Sequence, residues 1–319
     1  MINHLLIYLF SFIGIWIGSG IAIKSVQRIS RTLKVSSFVV SFILLGFFTS
    51  ISELSVGVNS IIENEPEIYV GNLIGASIVL FMLIVPLLAI VGKSIRISPE
   101  FQGFNLPASL VVVALPVMLT LDGTIGKFDS IVCVSLFIFL IISIQAKKGL
   151  FDNLANFETD KSVKFGKEIL RIIFGIVVIF IASRFVVEQT NYFAEILNVS
   201  PFLISLLVIS IGTNVPELSL VIRAAFMKNN QVAFGDYVGS AAFNTFLIGI
   251  LSLAYKKPII LSNSYVTSLL FLVVGLFIFY LFARSKNTVS RIEGLFLLSI
   301  YILFLYVEIM GHKSLMFWI

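Results

Sequence analysis

Residues 44–54 read LLGFFTSISEL and residues 208–218 read VISIGTNVPEL. Both contain Thr-x-x-x-Glu-Leu, with Thr49 and Glu53 in the first stretch and Thr213 and Glu217 in the second. Residues four apart on a helix share one face, so each hydroxyl lies beside its carboxylate. Each pair also lies mid-way along an apolar run. A carboxylate at the centre of a bilayer costs about 2.5–3.5 kcal/mol on insertion scales. Neither run offers a Lys or Arg at that depth. The expected partner is therefore a bound cation, with a proton in its place when the site is empty. Gly46, Gly212 and Pro216 weaken the local backbone ladder, which frees carbonyl oxygens to face an ion. Carboxylate, hydroxyl and carbonyl oxygens are hard ligands. They suit Ca2+, which takes about 6–8 of them, and Na+ in kind, but not zinc or copper. Two glutamates would balance one divalent ion.

A related pair of motifs follows, GNLIGAS at 71–77 and GDYVGSAAFN at 235–244. Their glycines permit close helix approach. Asn72, Asp236, Ser240 and Asn244 can each supply an oxygen. For Asn72 and Ser77 a plain packing role stands beside the ligand role, and for Glu53 and Glu217 the bland alternative is a protonated structural glutamate.

The elements that must position these groups are membrane helices. Of 319 residues, 58% are hydrophobic and 12% charged, with a mean hydropathy of +1.06. A soluble domain carries about 25% charged residues. Apolar runs long enough to cross a bilayer recur, giving an all-α membrane protein of ten spans. Their expected limits are 4–23, 36–61, 68–91, 105–121, 129–146, 168–187, 200–227, 232–254, 263–283 and 292–310. The first run has no basic start and is read as a retained helix rather than a signal peptide. Cys133 is the single cysteine, so no internal disulfide forms, and His4 and His312 at the two ends cannot build a metal cluster.

Ten spans place both termini on one side. Loops after odd-numbered spans hold 17 of the 22 Lys and Arg: Lys24, Arg28, Arg31, Lys34; Lys93, Arg96; Lys147, Lys148, Lys161, Lys164, Lys167, Arg171; Arg223, Lys228; Arg284, Lys286, Arg291. Basic loops stay cytoplasmic, so both termini are expected outside the cell membrane. The net charge of +5 resides in these short loops and does not argue for nucleic acid. Residues 147–167 are polar and lack a hydrophobic set for a core. They read as a cytoplasmic linker between five-helix halves at 1–146 and 168–319.

Shifting the chain by 164 residues aligns those halves. Within 33–80 against 197–244 the identities include Thr49/Thr213, Glu53/Glu217, Leu54/Leu218, Ser55/Ser219, Gly71/Gly235 and Gly75/Gly239. Apolar composition alone would not align Thr, Glu and Gly together. The first copy starts on a span running inward to outward and the second on one running the other way. Inverted repeats with polar groups near the midplane mark secondary transporters.

GTNVPE at 212–217, followed by GDYVGSAAFN, closely resembles the second alpha-repeat of the cation/calcium antiporter superfamily, which includes sodium/calcium exchangers. LKVS at 33–36 and LNVS at 197–200 resemble the short turn ahead of each repeat. With no large domain between the halves, the chain resembles the compact prokaryotic members. The resemblance implies antiport of Ca2+ against Na+ (or H+), no cofactor, and a central divalent site of Thr49, Glu53, Thr213 and Glu217. It also implies that Ser50, Asn214 and Ser240 line flanking sodium sites, and that the first and sixth helices slide to alternate access. The sequence departs from the pattern at Phe48 for Gly, Ser52 for Pro, Ala76 for Ser, Leu80 for Asn and Asn214 for Ser. Asn244 stands where compact exchangers often carry Asp. These losses point to fewer Na+ ions or to H+ as counter-ion. A channel would use the same oxygens without obligatory counter-ion. An intramembrane enzyme is disfavoured because no His-Glu-x-x-His or comparable set is present. A degenerate member that only binds or regulates is the remaining alternative. Oligomeric state has no signal in the sequence.

Overall fold

The structure, a computed structural model, describes residues 1–32, 46–97, 101, 103–146, 165–218, 230–261 and 266–316. Most of the expected linker, the LKVS turn and the side chain of Asp236 lie outside the described residues. Eleven helices are named here. They are α1 (Ile2–Thr32), α2 (Gly46–Thr49), α3 (Ile51–Ile62), α4 (Pro66–Val91), α5 (Asn105–Leu119), α6 (Lys127–Ala146), α7 (Phe165–Leu197), α8 (Pro201–Thr213), α9 (Asn230–Tyr255), α10 (Val266–Lys286) and α11 (Arg291–Met316). Among the described residues eight are long and apolar enough to cross a membrane: α1, α4, α5, α6, α7, α9, α10 and α11. α3 and α8 are apolar but shorter. They fall within the second and seventh expected spans, which are therefore broken rather than continuous. At about 1.5 Å per residue, the 12 residues of α3 cover well under the thickness of a bilayer core.

Large side chains such as Phe10 on α1, Leu170 on α7, Phe277 on α10 and Leu303 on α11 are exposed. A hydrophobic exterior of this extent is what a lipid bilayer covers. One buried cluster joins α4, α5, α9 and α10 through Tyr69, Phe81, Val113, Phe234, Tyr237 and Phe279. A second joins α1 and α7 to the centre, with Ile15, Ile179 and Val186 against Ile51, Val56, Ile68 and Ile209.

α1 and α7 run further than expected. The first extends past residue 23 to Thr32 and the second past 187 to Leu197. Polar residues that look like span ends are satisfied in place. Arg184 pairs with Glu188 one turn on, at 3.0 Å. His4 Nδ1 donates to Gln189 Oε1 at 2.7 Å, and Tyr8 and Thr190 share a 2.9 Å hydroxyl contact. At the opposite end Glu168 takes Arg28 at 3.3 Å and Arg171 at 2.5 Å. Between these polar ends Gly18 and Gly175 face each other. A Cβ on Gly18 would lie 2.8 Å from the Gly175 carbonyl, and one on Gly175 2.6 Å from that of Gly18, so only glycine lets the two backbones meet. The acidic turn between α3 and α4 carries Glu63 and Glu65, with Glu67 in the first turn of α4; partial burial, and then the neighbouring Glu67, raise Glu65 above the usual carboxylate range.

Two short antiparallel ribbons tie the halves together. β1 (Ser94–Arg96) pairs with β4 (Thr288–Ser290), and β2 (Thr124–Ile125) with β3 (Ile259–Ile260). Their registers obey the motif shift. Ile95 opposite Val289 becomes Ile259 opposite Ile125, and Arg96 opposite Thr288 becomes Ile260 opposite Thr124, when 164 is added to the first member and subtracted from the second.

Candidate ion-binding site

Among the described residues of the second and seventh expected spans, helix continuity fails at Ser50 and Asn214, turn residues 164 positions apart. Their backbone angles nearly coincide, φ −77 and ψ 7 at Ser50 against φ −91 and ψ 11 at Asn214. This sparsely populated region is common at functional sites. Beyond each break the helix resumes, with Leu54 N–H bonded to Ser50 O at 2.9 Å and Leu218 N–H to Asn214 O at 3.1 Å. Glu53 thus stands in the first turn of α3, and Glu217 within the helical stretch 215–218. A helix N-terminus favours a carboxylate there. The chain in this way places an acid deep in an apolar core on a prepared backbone. Both π-turns, Leu80–Ile84 in α4 and Ser205–Ile209 in α8, lie in helices that pack beside these breaks, as π-turns often do near working sites.

The eight residues expected at the site, Thr49, Ser50, Glu53, Thr213, Asn214, Glu217, Ser240 and Asn244, are all buried, none more than 1% exposed. Several meet across the halves. Ser50 Oγ lies 3.0 Å from Ser240 Oγ. Asn214 Nδ2 donates to Glu53 Oε1 at 3.3 Å and to Ser210 O at 2.8 Å. Thr213 Oγ1 donates to Asn72 Oδ1 at 3.3 Å. Thr49 Oγ1 turns back to Gly46 O at 3.3 Å. Glu217 is held on its backbone side, where its carbonyl accepts from Tyr237 at 3.4 Å. Asn244 is buried on α9, and both atoms of its amide lack hydrogen bonds in the structure, as do Asn72 Nδ2 and Asn214 Oδ1. Buried polar atoms are rarely left so unless an ion or water supplies the partner.

Ser52 joins this group although the sequence marks it only as a missing proline. Its Oγ lies 2.9 Å from Glu53 Oε2, 3.0 Å from Thr49 O and 3.3 Å from Thr213 O. Its position, one residue before a candidate ligand and opposite Pro216 in the shifted alignment, was the available signal. Ala76 and Leu80 are fully buried apolar residues and bring no side-chain oxygen.

The family model described as sodium/calcium exchanger protein matches residues 3–144 and 167–310. The chain belongs to the sodium/calcium exchanger family. It is a membrane-spanning member of an antiporter family and not an enzyme. Sodium/calcium exchanger MaX1 of Methanosarcina acetivorans is 25% identical over 95% of this chain and 98% of its own. Inner membrane protein YrbG of Escherichia coli is 23% identical, over 81% and 82% respectively. Among solved structures, the sodium-calcium exchanger NCX_Mj soaked with Na+ and Sr2+ superposes with a TM-score of 0.68. It covers 95% of this chain and 97% of its own at 24% identity, which establishes the shared fold. The matched family regions leave out residues 145–166, which overlap most of the 147–167 stretch read as a linker, and each contains one Thr-x-x-x-Glu-Leu core.

Proposed function

We propose that this exchanger-family protein is a secondary antiporter that moves Ca2+ against Na+ by alternating access. The ion sits between Glu53 and Glu217, with Thr49 and Thr213 as neutral ligands and Ser50, Ser240 and Asn244 beside them. The observation that carries this reading is the pair of matching helix breaks at Ser50 and Asn214, each placing one buried glutamate just past it. Broken helices whose N-termini and freed carbonyls meet near the midplane are how transporters bind ions. The Asn214–Glu53 contact supports a site shared by both halves. The ribbon registers support two five-helix repeats, 1–146 and 168–319, related by an inverted two-fold. The basic odd-numbered loops support a cytoplasmic linker at 147–167 and external termini. α1 and α7, packed on each other with their own core cluster, are the pair that slides past the site.

The test is 45Ca uptake into proteoliposomes of purified protein. An outward Na+ gradient is expected to drive uptake, and removing Na+ to stop it. Uptake that ignores Na+ and follows a pH gradient favours proton coupling, the reading that the apolar Ala76 and Leu80 support. Calcium flux with no counter-ion at all would contradict antiport.

A further inference from the structure

Asn214 occupies a position that the family resemblance gives to a serine lining a sodium site, and its geometry is that of a donor. The nitrogen assignment follows from chemistry: the amide atom concerned faces two acceptors, Glu53 Oε1 at 3.3 Å and Ser210 O at 2.8 Å, and only an NH2 can serve both. Ser52 Oγ stands within 2.9 Å of the other oxygen, Oε2. Glu53 Oε1 therefore meets a positive hydrogen-bond end without any ion, and the single Ser52 proton, which Thr49 O and Thr213 O also face, can turn to Oε2. The shifted counterparts of these two donors differ. Ser50, the counterpart of Asn214, turns its hydroxyl to Ser240 at 3.0 Å, and the counterpart of Ser52 is Pro216, which has no side-chain donor. The two positions that face Glu53 thus differ in chemistry from their shifted counterparts. Asn214 Oδ1, buried and without a hydrogen bond in the structure, is the end of the amide left to face a divalent ion, for which amide carbonyls are good ligands.

We infer that the Asn214 carboxamide holds Glu53 in place of a monovalent cation and so reduces the number of Na+ ions the site binds, an inference that rests on the exchanger reading above. A serine at 214 is too short to reach Glu53 in the same way, and offers an oxygen where the amide presents N–H. Position 214 then decides how many counter-ions oppose one Ca2+.

The experiment is equilibrium 22Na+ binding to detergent-purified full-length protein, with Na+ displacement of 45Ca on the same samples. Asn214→Ser and Asn214→Ala, the second removing the donor without adding an oxygen, are compared with the parent, each checked for a monodisperse size-exclusion peak. Both variants are expected to bind about one more Na+ per protein and to raise the Hill slope of displacement by about one, because the slope is bounded by the number of sites. Equal Na+ binding and equal slopes in the parent and in whichever variants fold overturn the inference. A parent that shows no Na+-driven uptake while the variants still gain a bound Na+ removes the exchanger reading, and with it the counter-ion count, but still shows that the Asn214 amide takes the place of a Na+ ion. Uptake in the parent with an unchanged Na+ count in the variants removes this inference alone.

Discussion

At Glu53 the second half of the molecule reaches into the first: an amide on the Asn214 break donates to a carboxylate just past the Ser50 break. A buried carboxylate tolerates this position because donors, a helix N-terminus and an ion can all share its charge. Removing that charge should remove the ion. Glu53→Gln and Glu217→Gln are each expected to weaken Ca2+ binding by about 100-fold or more, roughly 2.8 kcal/mol, when 45Ca binding is measured on purified protein. Each variant removes half of the charge that balances a divalent ion. Near-parental affinity in either one would take that residue out of the site. The Thr and Glu pairs were legible in the sequence because such residues are rare inside apolar runs and recur at one shift. The contacts that Ser52 and Asn214 make with Glu53 were not legible. Which way their side chains turn depends on the break at each motif and on the partner half, and neither is a property of local sequence.

Helix order was legible too, and helix ends were not. α7 continues ten residues beyond its expected limit because Arg184, Gln189 and Thr190 find partners on α7 or α1, so polarity there does not signal a loop. The second and seventh spans look continuous by hydropathy, since the few polar residues around Ser50 and Asn214 are outweighed by the apolar residues on both sides. A buried amide adds a polar link from α7 to the centre beside the apolar cluster. Asn59 Nδ2 on α3 lies 2.8 Å from Ser183 Oγ and 3.1 Å from Phe180 O. α1 and α7 themselves meet at Gly18 and Gly175. Adding bulk there should force the pair apart, and overpacking of this kind costs about 1–3 kcal/mol. Gly175→Val is expected to lower the melting temperature of the detergent-purified protein by several degrees and to slow transport. An unchanged melting curve with parental transport would show that the two helices do not depend on this contact.

For the whole molecule, the same 164-residue shift relates two glutamates, two helix breaks and two ribbons at opposite loops. A ligand set built this way has its natural centre between the halves, where one ion can be shared by a residue from each. In the proposed mechanism the repeat would offer similar surroundings to the ion from either side of the membrane, with α1 and α7 as the part that moves. The sequence conveyed the repeat but not the ribbons, whose two- and three-residue strands carry no signal of their own until the register is seen. The direct test is anomalous scattering from Sr2+ soaked into crystals of the protein. One strong peak per molecule is expected at coordination distance from carboxylate oxygens, slightly longer than the about 2.3–2.6 Å of Ca2+ because Sr2+ is the larger ion, with Glu53 and Glu217 both as ligands. A peak that touches neither glutamate, or only one while the other points away, would contradict it.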